Sequence, residues 1–260
     1  MGSERGAWSI ALAAGALALM ALGAITGPYA EARAACGALG ALLVVGAVAL
    51  RRSERVGAAA RAVAALAGSV TVAASLGILW QPAMALALLA YAGLVRLDPA
   101  LGPSASWRAA GSVPVLATLA VGGVTPFALV GWLWWARPEL SDVVGAYVPE
   151  SVPFAVLVLG GVGFALVNAA LEELIWRGVL ADRLDTLVGP GASIALTSLS
   201  FGLAHAHGVP RGAIGVVLAG SWAVMLAVLR RHSRGLVAPV VAHVAADSVI
   251  AVIVLWLARG

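Results

Sequence analysis

The sequence predicts an all-α polytopic membrane protein, a bundle of about eight or nine transmembrane helices. The 260-residue chain is 62% hydrophobic and has a mean hydropathy of +1.01. Only 11% of its residues are charged, whereas soluble domains carry about 25%. Several apolar stretches run for about 18 residues or more, which is the length of a membrane-spanning helix. The alternating segments of about ten residues that build a transmembrane β-barrel are absent.

We expect about nine spans, with an error of one. They are residues 8–27, 33–50, 62–80, 83–95, 109–136, 152–171, 192–206, 212–229 and 236–258. The first run resembles a signal peptide because Arg5 precedes it, but its length and the spans that follow favour a membrane helix. Gln81-Pro82 predicts a break between the third and fourth spans, and Gly189-Pro190-Gly191 predicts another before the seventh.

The basic residues predict the orientation of these spans. Short cytoplasmic loops are enriched in Lys and Arg, which places Arg51–Arg55, Arg96–Arg108 and Arg230–Arg234 in the cytoplasm. The acidic segment Arg137–Ser151 then lies outside, and Glu172 lies near the cytoplasmic end of its span. We expect any water-filled cavity around Glu172 to open to the cytoplasm.

The bulk charge gives little support to a nucleic-acid partner. The net charge is +4, and all 16 basic residues are arginine, a composition typical of a GC-rich genome. Cytoplasmic loop anchors explain the pI of about 10.2, so the expected partner is the lipid bilayer, in a bacterial plasma membrane. The single cysteine, Cys36, has no internal disulfide partner.

The chain divides into two parts by its candidate chemistry. Residues 1–108 form membrane helices without an assigned role, because they contain no histidine and no predicted buried charge cluster. Residues 109–260 contain every candidate site residue.

The first motif is Glu172-Glu173-x-x-x-Arg177, at the end of an apolar span. A carboxylate at the bilayer centre costs about 2.5–3.5 kcal/mol on insertion scales, so two adjacent ones need a reason. Glu173 and Arg177 are four residues apart on a helix and can pair. Glu172 is rotated by about 100° and points elsewhere. The alternative is an ordinary surface ion pair at the membrane interface.

The second motif is Phe201-x-x-x-His205, which places both residues on one helix face. The alternative for His205 is a buried neutral ring bonded to a backbone carbonyl. His207 faces away from His205 and is interpreted as a loop residue.

The third motif is His243-x-x-x-Asp247 in the last span. Both side chains can reach one point, and the alternative is a local His–Asp hydrogen bond. His232 lies in the basic loop and is interpreted as a surface residue.

Together the motifs supply the parts needed to activate water inside a membrane. A carboxylate takes the proton of water as general base, and a histidine orients the water or donates to the leaving group. Glu172, His205 and His243 also form a possible zinc set with an open fourth position. The HExxH helix of the usual zinc proteases is absent.

The ordered set EExxxR, FxxxH and HxxxD resembles the CPBP family of intramembrane proteases, over roughly residues 110–258. That family includes the Rce-type CAAX prenyl endopeptidases and Abi-like proteins of bacteriocin self-immunity. The resemblance implies that Glu172 activates water with help from His205, and that His243 and Asp247 bind water or stabilise the oxyanion. Glu173, Arg177 and Phe201 would be supporting residues. Asp247 stands where Asn is common, so it must be protonated to donate, or it orients His243 or a metal.

Our leading hypothesis is therefore an intramembrane endopeptidase acting on a peptide or a membrane-proximal protein segment, with zinc or by a metal-free mechanism. The alternative is an inactive membrane scaffold or an ion- or proton-coupled transporter that uses the same cluster. The predicted distance between Glu172 and His205 argues against a common site for these two residues. His205 lies about 22 Å into its span, so it meets Glu172 only if residues 179–190 dip into the membrane or the helices tilt.

Overall fold

The computed structural model describes residues 2–104, 110–149 and 151–259, and the regular structure within these ranges is entirely helical. The ten α-helices are α1 (Gly2–Thr26), α2 (Ala30–Ala49), α3 (Ala58–Ser75), α4 (Trp80–Leu97), α5 (Val115–Ala136), α6 (Ser141–Tyr147), α7 (Phe154–Glu173), α8 (Ala181–Ala204), α9 (Gly212–Ser233) and α10 (Val237–Leu257). A π-helical segment, Leu174–Leu180, joins α7 to α8 without a break.

The membrane-spanning character of the predicted bundle is confirmed. Eight helical segments among the described residues are long and apolar enough to cross a bilayer, and one of them, Phe154–Ala204, has 51 residues. A straight helix of that length would rise about 76 Å, well over the hydrocarbon thickness of about 30 Å. The segment bends at Gly189, where φ is +78°. It therefore crosses the membrane twice, which agrees with the expected nine passes.

The predicted break at Gln81-Pro82 is wrong. Both residues lie in the first turn of α4, where proline is tolerated because the missing N–H has no helical acceptor. The chain turns earlier, at Gly77, where φ is +69°. The predicted domain boundary after residue 108 lies outside the described residues and stays a prediction.

The helix before Gly189 continues well beyond the predicted span of residues 152–171. The helix that begins at Phe154 has helical backbone angles until Gly189, and no Gly or Pro breaker interrupts Ala181–Val188. The prediction that this span ends at residue 171 is therefore wrong. The end of the membrane helix was inferred from Glu172 and Glu173, but both carboxylates are buried inside the bundle.

The two arms around Gly189 form a helical hairpin. Ser193 Oγ donates to the carbonyl of Ala181 at 3.2 Å, close to the turn. Further along, Trp176 Nε1 donates to Ser200 Oγ at 3.3 Å. Ala181 and Ser193 lie eight and four residues from Gly189, and Trp176 and Ser200 lie 13 and 11 residues from it. Both bonds join residues on opposite sides of the turn, so the arms run antiparallel.

The hairpin explains how Glu172 and His205 can share one site despite the predicted distance between them. Glu172 precedes Gly189 by about as many residues as His205 follows it. In an antiparallel hairpin such residues lie at the same height. The two motifs therefore meet without a loop that dips into the membrane.

Glycine lets the second arm of the hairpin approach α9 closely. A Cβ at Gly202 would lie 2.6 Å from the carbonyl oxygen of Val216 and 3.0 Å from Cα of Gly220. Small residues at helix crossings permit this backbone contact in membranes. The crossing holds α8 where Phe201 and His205 face the site.

The N-terminal helices share a core with the C-terminal half. Buried residues of α1, α3 and α4 pack in one apolar cluster with Ile175, Trp176 and Phe201. The expectation of no buried charge in the first hundred residues is wrong. Arg61 is buried and pairs with Asp98 at 2.5 Å.

We predict that Gly202→Ala destabilises the protein and that Gly220→Ala is tolerated. The added methyl at Gly202 meets backbone atoms that cannot rotate away, whereas the nearest atom to a Cβ at Gly220 is the carbonyl oxygen of Ser198 at 3.5 Å. The Gly202 change should cost about 1–3 kcal/mol. Thermal unfolding of the two variants in detergent, measured side by side, tests this. Equal melting temperatures would contradict the close crossing.

Candidate functional site

A buried ion pair forms the base of the site. Arg177 Nη1 lies 2.9 Å from Glu173 Oε1, and the two side chains are 2% and 0% exposed. The alternative of a surface ion pair is wrong, because neither group reaches water. Such a pair is stable only when further polar contacts satisfy both partners.

Neighbouring helices supply further contacts to Arg177. Its guanidinium lies 4.4 Å from the centre of the Phe201 ring, within the range of a cation–π interaction. Its Nη2 donates to the carbonyl of Ala223 in α9 at 3.4 Å. Phe201 is buried and presents the face of its ring, which gives it a supporting position beside the ion pair.

His243 links the ion pair to the other acidic side chains. Its Nδ1 donates to Glu173 Oε1 at 2.7 Å. Its Nε2 lies 3.4 Å from Glu172 Oε2 and 3.7 Å from Asp247 Oδ1. The alternative of a local His243–Asp247 hydrogen bond is wrong, because 3.7 Å is too long for one.

Glu172 has one bonded and one unbonded carboxylate oxygen. Trp80 Nε1, at the start of α4, donates to Oε1 at 2.8 Å. Oε2 is buried and has no hydrogen-bond partner among the described residues, since its 3.4 Å contact with His243 Nε2 does not meet hydrogen-bond geometry. A buried carboxylate oxygen without a donor is costly. Oε2 therefore keeps its capacity to accept a hydrogen bond from a water or substrate.

His205 lies at the C-terminal end of α8 with a defined tautomer. Its Nδ1 is 2.9 Å from the carbonyl oxygen of Phe201. A carbonyl only accepts, so Nδ1 carries the hydrogen and Nε2 keeps its lone pair when the ring is neutral. The carbonyl-bonded alternative thus describes one side of the ring correctly. The ring also lines the same cavity as Glu172 and Asp247.

Asp247 belongs to a chain of polar side chains. Its Oδ2 accepts from Asn168 Nδ2 at 3.0 Å, and Asn168 Oδ1 accepts from Gln81 Nε2 at 2.9 Å. Tyr147 Oη donates to Gln81 Oε1 at 3.3 Å. The chain runs along the cavity wall from α6 to Asp247.

Three of these site residues escaped the sequence analysis. Asn168 had a readable signal, because it is a polar residue four positions before Glu172 on the same helix face. Gln81 is polar within apolar sequence but was interpreted as part of a break. Trp80 gave no signal, since tryptophan is common in membrane helices and only the tertiary contact shows its bond to Glu172.

The site lies at the inner end of a cavity of about 670 Å³. One face of α7 forms part of its wall, because lining residues recur at every fourth position, from Val156 through Gly160 to Asn168 and Glu172. Val152, just before α7, continues the same row. Asp247 and Ile250 of α10 also line it, and the loops α1–α2, α3–α4, α6–α7 and α8–α9 contribute, represented by Gly27, Ile78, Pro149 and Gly208.

All four of these loops lie at the same end of the bundle, because successive helices alternate in direction. This end carries the acidic segment that the positive-inside rule places outside. The expected cytoplasmic opening and the expected orientation are therefore incompatible, and only one of them can hold.

An exposed ion pair holds α6 at the cavity mouth. Arg211, just before α9, donates to both carboxylate oxygens of Asp142 at 2.8 Å. These hydrogen bonds keep the pKa of the Asp142 carboxyl below its ordinary value, so the pair is ionised at neutral pH. His207 is exposed beside it, and its Nε2 donates to the carbonyl of Ile25 at 2.7 Å.

The zinc set of Glu172, His205 and His243 stays a prediction. Among the described residues, no group of three or more His, Cys, Asp or Glu side chains has an arrangement that would hold a metal ion. His243 commits Nδ1 to Glu173, which leaves only Nε2 for any other role. Glu172 and His205 line the cavity, and His243 Nε2 lies 3.4 Å from Glu172 Oε2.

We predict that Arg177→Met destabilises the protein strongly and that Arg231→Met destabilises it only slightly. Removing Arg177 leaves the buried Glu173 carboxylate without its cation, which should cost about 3–5 kcal/mol. The matched pair, Arg231 with Asp185, is about one-third exposed and should contribute about 1 kcal/mol or less. Thermal unfolding in detergent measures both. Similar losses would show that the Glu173 pair is not the buried anchor of the site.

Comparison with known proteins agrees with the motifs. Residues 154–249 match the family model described as type II CAAX prenyl endopeptidase Rce1-like. The match includes all three motifs, from Glu172 to Asp247. Comparison with curated proteins and with solved structures gave no match. Residues 154–249 are therefore similar to the type II CAAX prenyl endopeptidase Rce1-like domain, a match that is consistent with the CPBP family.

Proposed function

We propose that this chain is an intramembrane endopeptidase that hydrolyses a peptide bond with a water activated by Glu172. One observation carries the proposal. Glu172 Oε2 is buried and unbonded among the described residues, and Glu172 lines the same cavity as His205. The family supports a protease with a peptide or protein substrate, and we propose that it acts in the plasma membrane of a bacterium.

Glu172 is the general base in this proposal. Trp80 holds Oε1 at 2.8 Å, which leaves Oε2 to take a proton from water. The water oxygen attacks the carbonyl carbon of the scissile bond, and the carbon–nitrogen bond then breaks. Glu172 passes the proton to the leaving nitrogen, which departs as an amine.

His205 orients the attacking water. Its Nδ1–H is occupied by the carbonyl of Phe201, so Nε2 is an acceptor. One hydrogen of the water bonds to His205 Nε2 and the other to Glu172 Oε2. The water's lone pair then points away from both acceptors, toward the substrate carbonyl.

His243 stabilises the oxyanion. In its protonated form the ring donates from both nitrogens, and Nδ1 is already bonded to Glu173. Nε2 is then the donor that faces the reacting carbonyl. Asp247, fixed by Asn168 at 3.0 Å, orients this side of the ring rather than donating itself.

The proposed mechanism is metal-free. The described acidic and histidine side chains do not form a metal-holding group, and the roles above need only the side chains of this chain. Zinc therefore has no step in the reaction that we propose.

We predict that Glu172→Gln and His205→Ala each lower hydrolysis by at least about 100-fold, the usual contribution of a general base or its helper. The amide oxygen of Gln still accepts from Trp80, so the fold is retained while the base is lost. His232→Ala is the matched control, because His232 is an exposed histidine that does not line the cavity. Cleavage of a quenched peptide library by detergent-purified protein measures all three.

Two results would contradict parts of this proposal. Full activity of Glu172→Gln would favour a scaffold or transporter over a hydrolase. Loss of wild-type activity with a chelator, restored by zinc, would overturn the metal-free mechanism while keeping the hydrolase.

We also predict that Gly160→Leu blocks cleavage and Gly163→Leu does not. A Cβ at either glycine meets no atom within 4 Å, so both variants should fold. Gly160 lines the cavity and Gly163 does not, so only the leucine at residue 160 fills the path to Glu172. The KM and kcat of the two variants, measured on one peptide, test this. Equal activity would show that substrate does not use the α7 face.

A further inference from the structure

The arginines are distributed unequally between the two ends of the bundle. One end, called the arginine-rich end, contains the N-terminus, the α2–α3 and α4–α5 connections, the turn at Gly189 and the α9–α10 connection. Its ten arginines among the described residues are Arg5, Arg51, Arg52, Arg55, Arg61, Arg96, Arg183, Arg230, Arg231 and Arg234. The other end has four, Arg33, Arg137, Arg211 and Arg259. Arg177 is buried between them.

This difference determines an orientation. The Lys/Arg bias of short loops near membrane helices sets which end stays in the cytoplasm, and acidic residues contribute little. The connections in this chain are short, so the rule applies to each of them. The arginine-rich end is therefore cytoplasmic.

The catalytic cavity opens at the opposite end. Every connecting loop among its lining residues, from Gly27 to Gly208, belongs to the end with four arginines. The described connections of the arginine-rich end contribute no lining residue. A molecule in the cytoplasm would have to cross the packed hairpin and α9 to reach Glu172.

We propose that the catalytic cavity opens on the non-cytoplasmic face of the membrane, and that its substrate is an apolar segment of an exported or membrane-anchored polypeptide presented from that side. The orientation follows from the charges and the lining. The substrate class rests additionally on the proposed function.

The cavity walls fit an apolar, extended segment. On the α7 side, the cavity is lined by Val152, just before the helix, and then by Val156, Gly160 and Phe164. The first polar residues deeper along this side are Asn168 and Glu172. From Phe154 to Glu172 the helix rises about 27 Å. An extended chain covers that depth in about eight residues. A folded domain cannot reach Glu172, whereas an unstructured apolar segment outside the membrane can.

Cysteine accessibility tests the orientation without relying on catalysis. Cys36 is the only cysteine and is buried, so Cys36→Ala gives a cysteine-free background. Val148→Cys places a thiol at the cavity mouth, and Glu54→Cys places one in the exposed α2–α3 connection. Spheroplasts are treated with a membrane-impermeant maleimide before and after permeabilisation.

The expected result is full labelling of Val148→Cys in intact spheroplasts and labelling of Glu54→Cys only after permeabilisation. The reverse pattern would overturn the proposal and would place the mouth in the cytoplasm. Labelling in detergent confirms that both thiols are reactive and that the variants are present at equal amounts.

A pair of reporters tests the substrate class. The same apolar segment is attached to a single membrane anchor, on the exported side in one reporter and on the cytoplasmic side in the other. Cleavage of the exported reporter alone, lost in Glu172→Gln, is expected. Cleavage of the cytoplasmic reporter alone would overturn the substrate class. If Val148→Cys is labelled from outside but neither reporter is cut, the orientation stands and the proposed hydrolase is wrong.

Discussion

The site depends on one carboxylate oxygen, Glu173 Oε1, which accepts from two helices at once. Arg177 Nη1 lies 2.9 Å away and His243 Nδ1 lies 2.7 Å away. These bonds tie α10 to the π-helical segment after α7 and leave His243 Nε2 on the side of Glu172, 3.4 Å from its Oε2. Because Glu173 is bound in this way, Glu172 on the next position is turned toward the cavity. The positions of both candidate catalytic groups thus follow from one buried interaction.

The hairpin at Gly189 explains how this interaction joins residues far apart in the sequence. Its first arm carries the two glutamates and its second arm ends at His205, so a register set near the turn places both at one height. π-helical turns are frequent at functional sites, and here the π segment contains Arg177 itself. Arg230 Nε donates to the carbonyl of Arg177 at 2.6 Å, which anchors α9 to the same segment.

Hydropathy and breakers were sufficient to predict the helical bundle, the break near Gly189 and the three motifs. They failed where a polar residue had two interpretations. The sequence predicts that the membrane helix ends at Glu172 and Glu173, because sequence alone does not show that both carboxylates are buried beside His243 and Arg177. Trp80 and Gln81 were missed for the same reason, since their partners Glu172 and Asn168 lie far along the chain. Periodicity finds the neighbours within a helix, and only tertiary packing shows those between helices.

The energetics of the cluster argue against a purely structural role. Replacing a buried ion pair by apolar residues of similar volume is often neutral or stabilising, and in lipid the cost of charged groups is higher still. This site contains three carboxylates, and two of their oxygens, Glu172 Oε2 and Glu173 Oε2, have no hydrogen-bond partner among the described residues. A scaffold would be more stable without them. A general base needs a lone pair that no protein donor occupies, and Glu172 Oε2 supplies one.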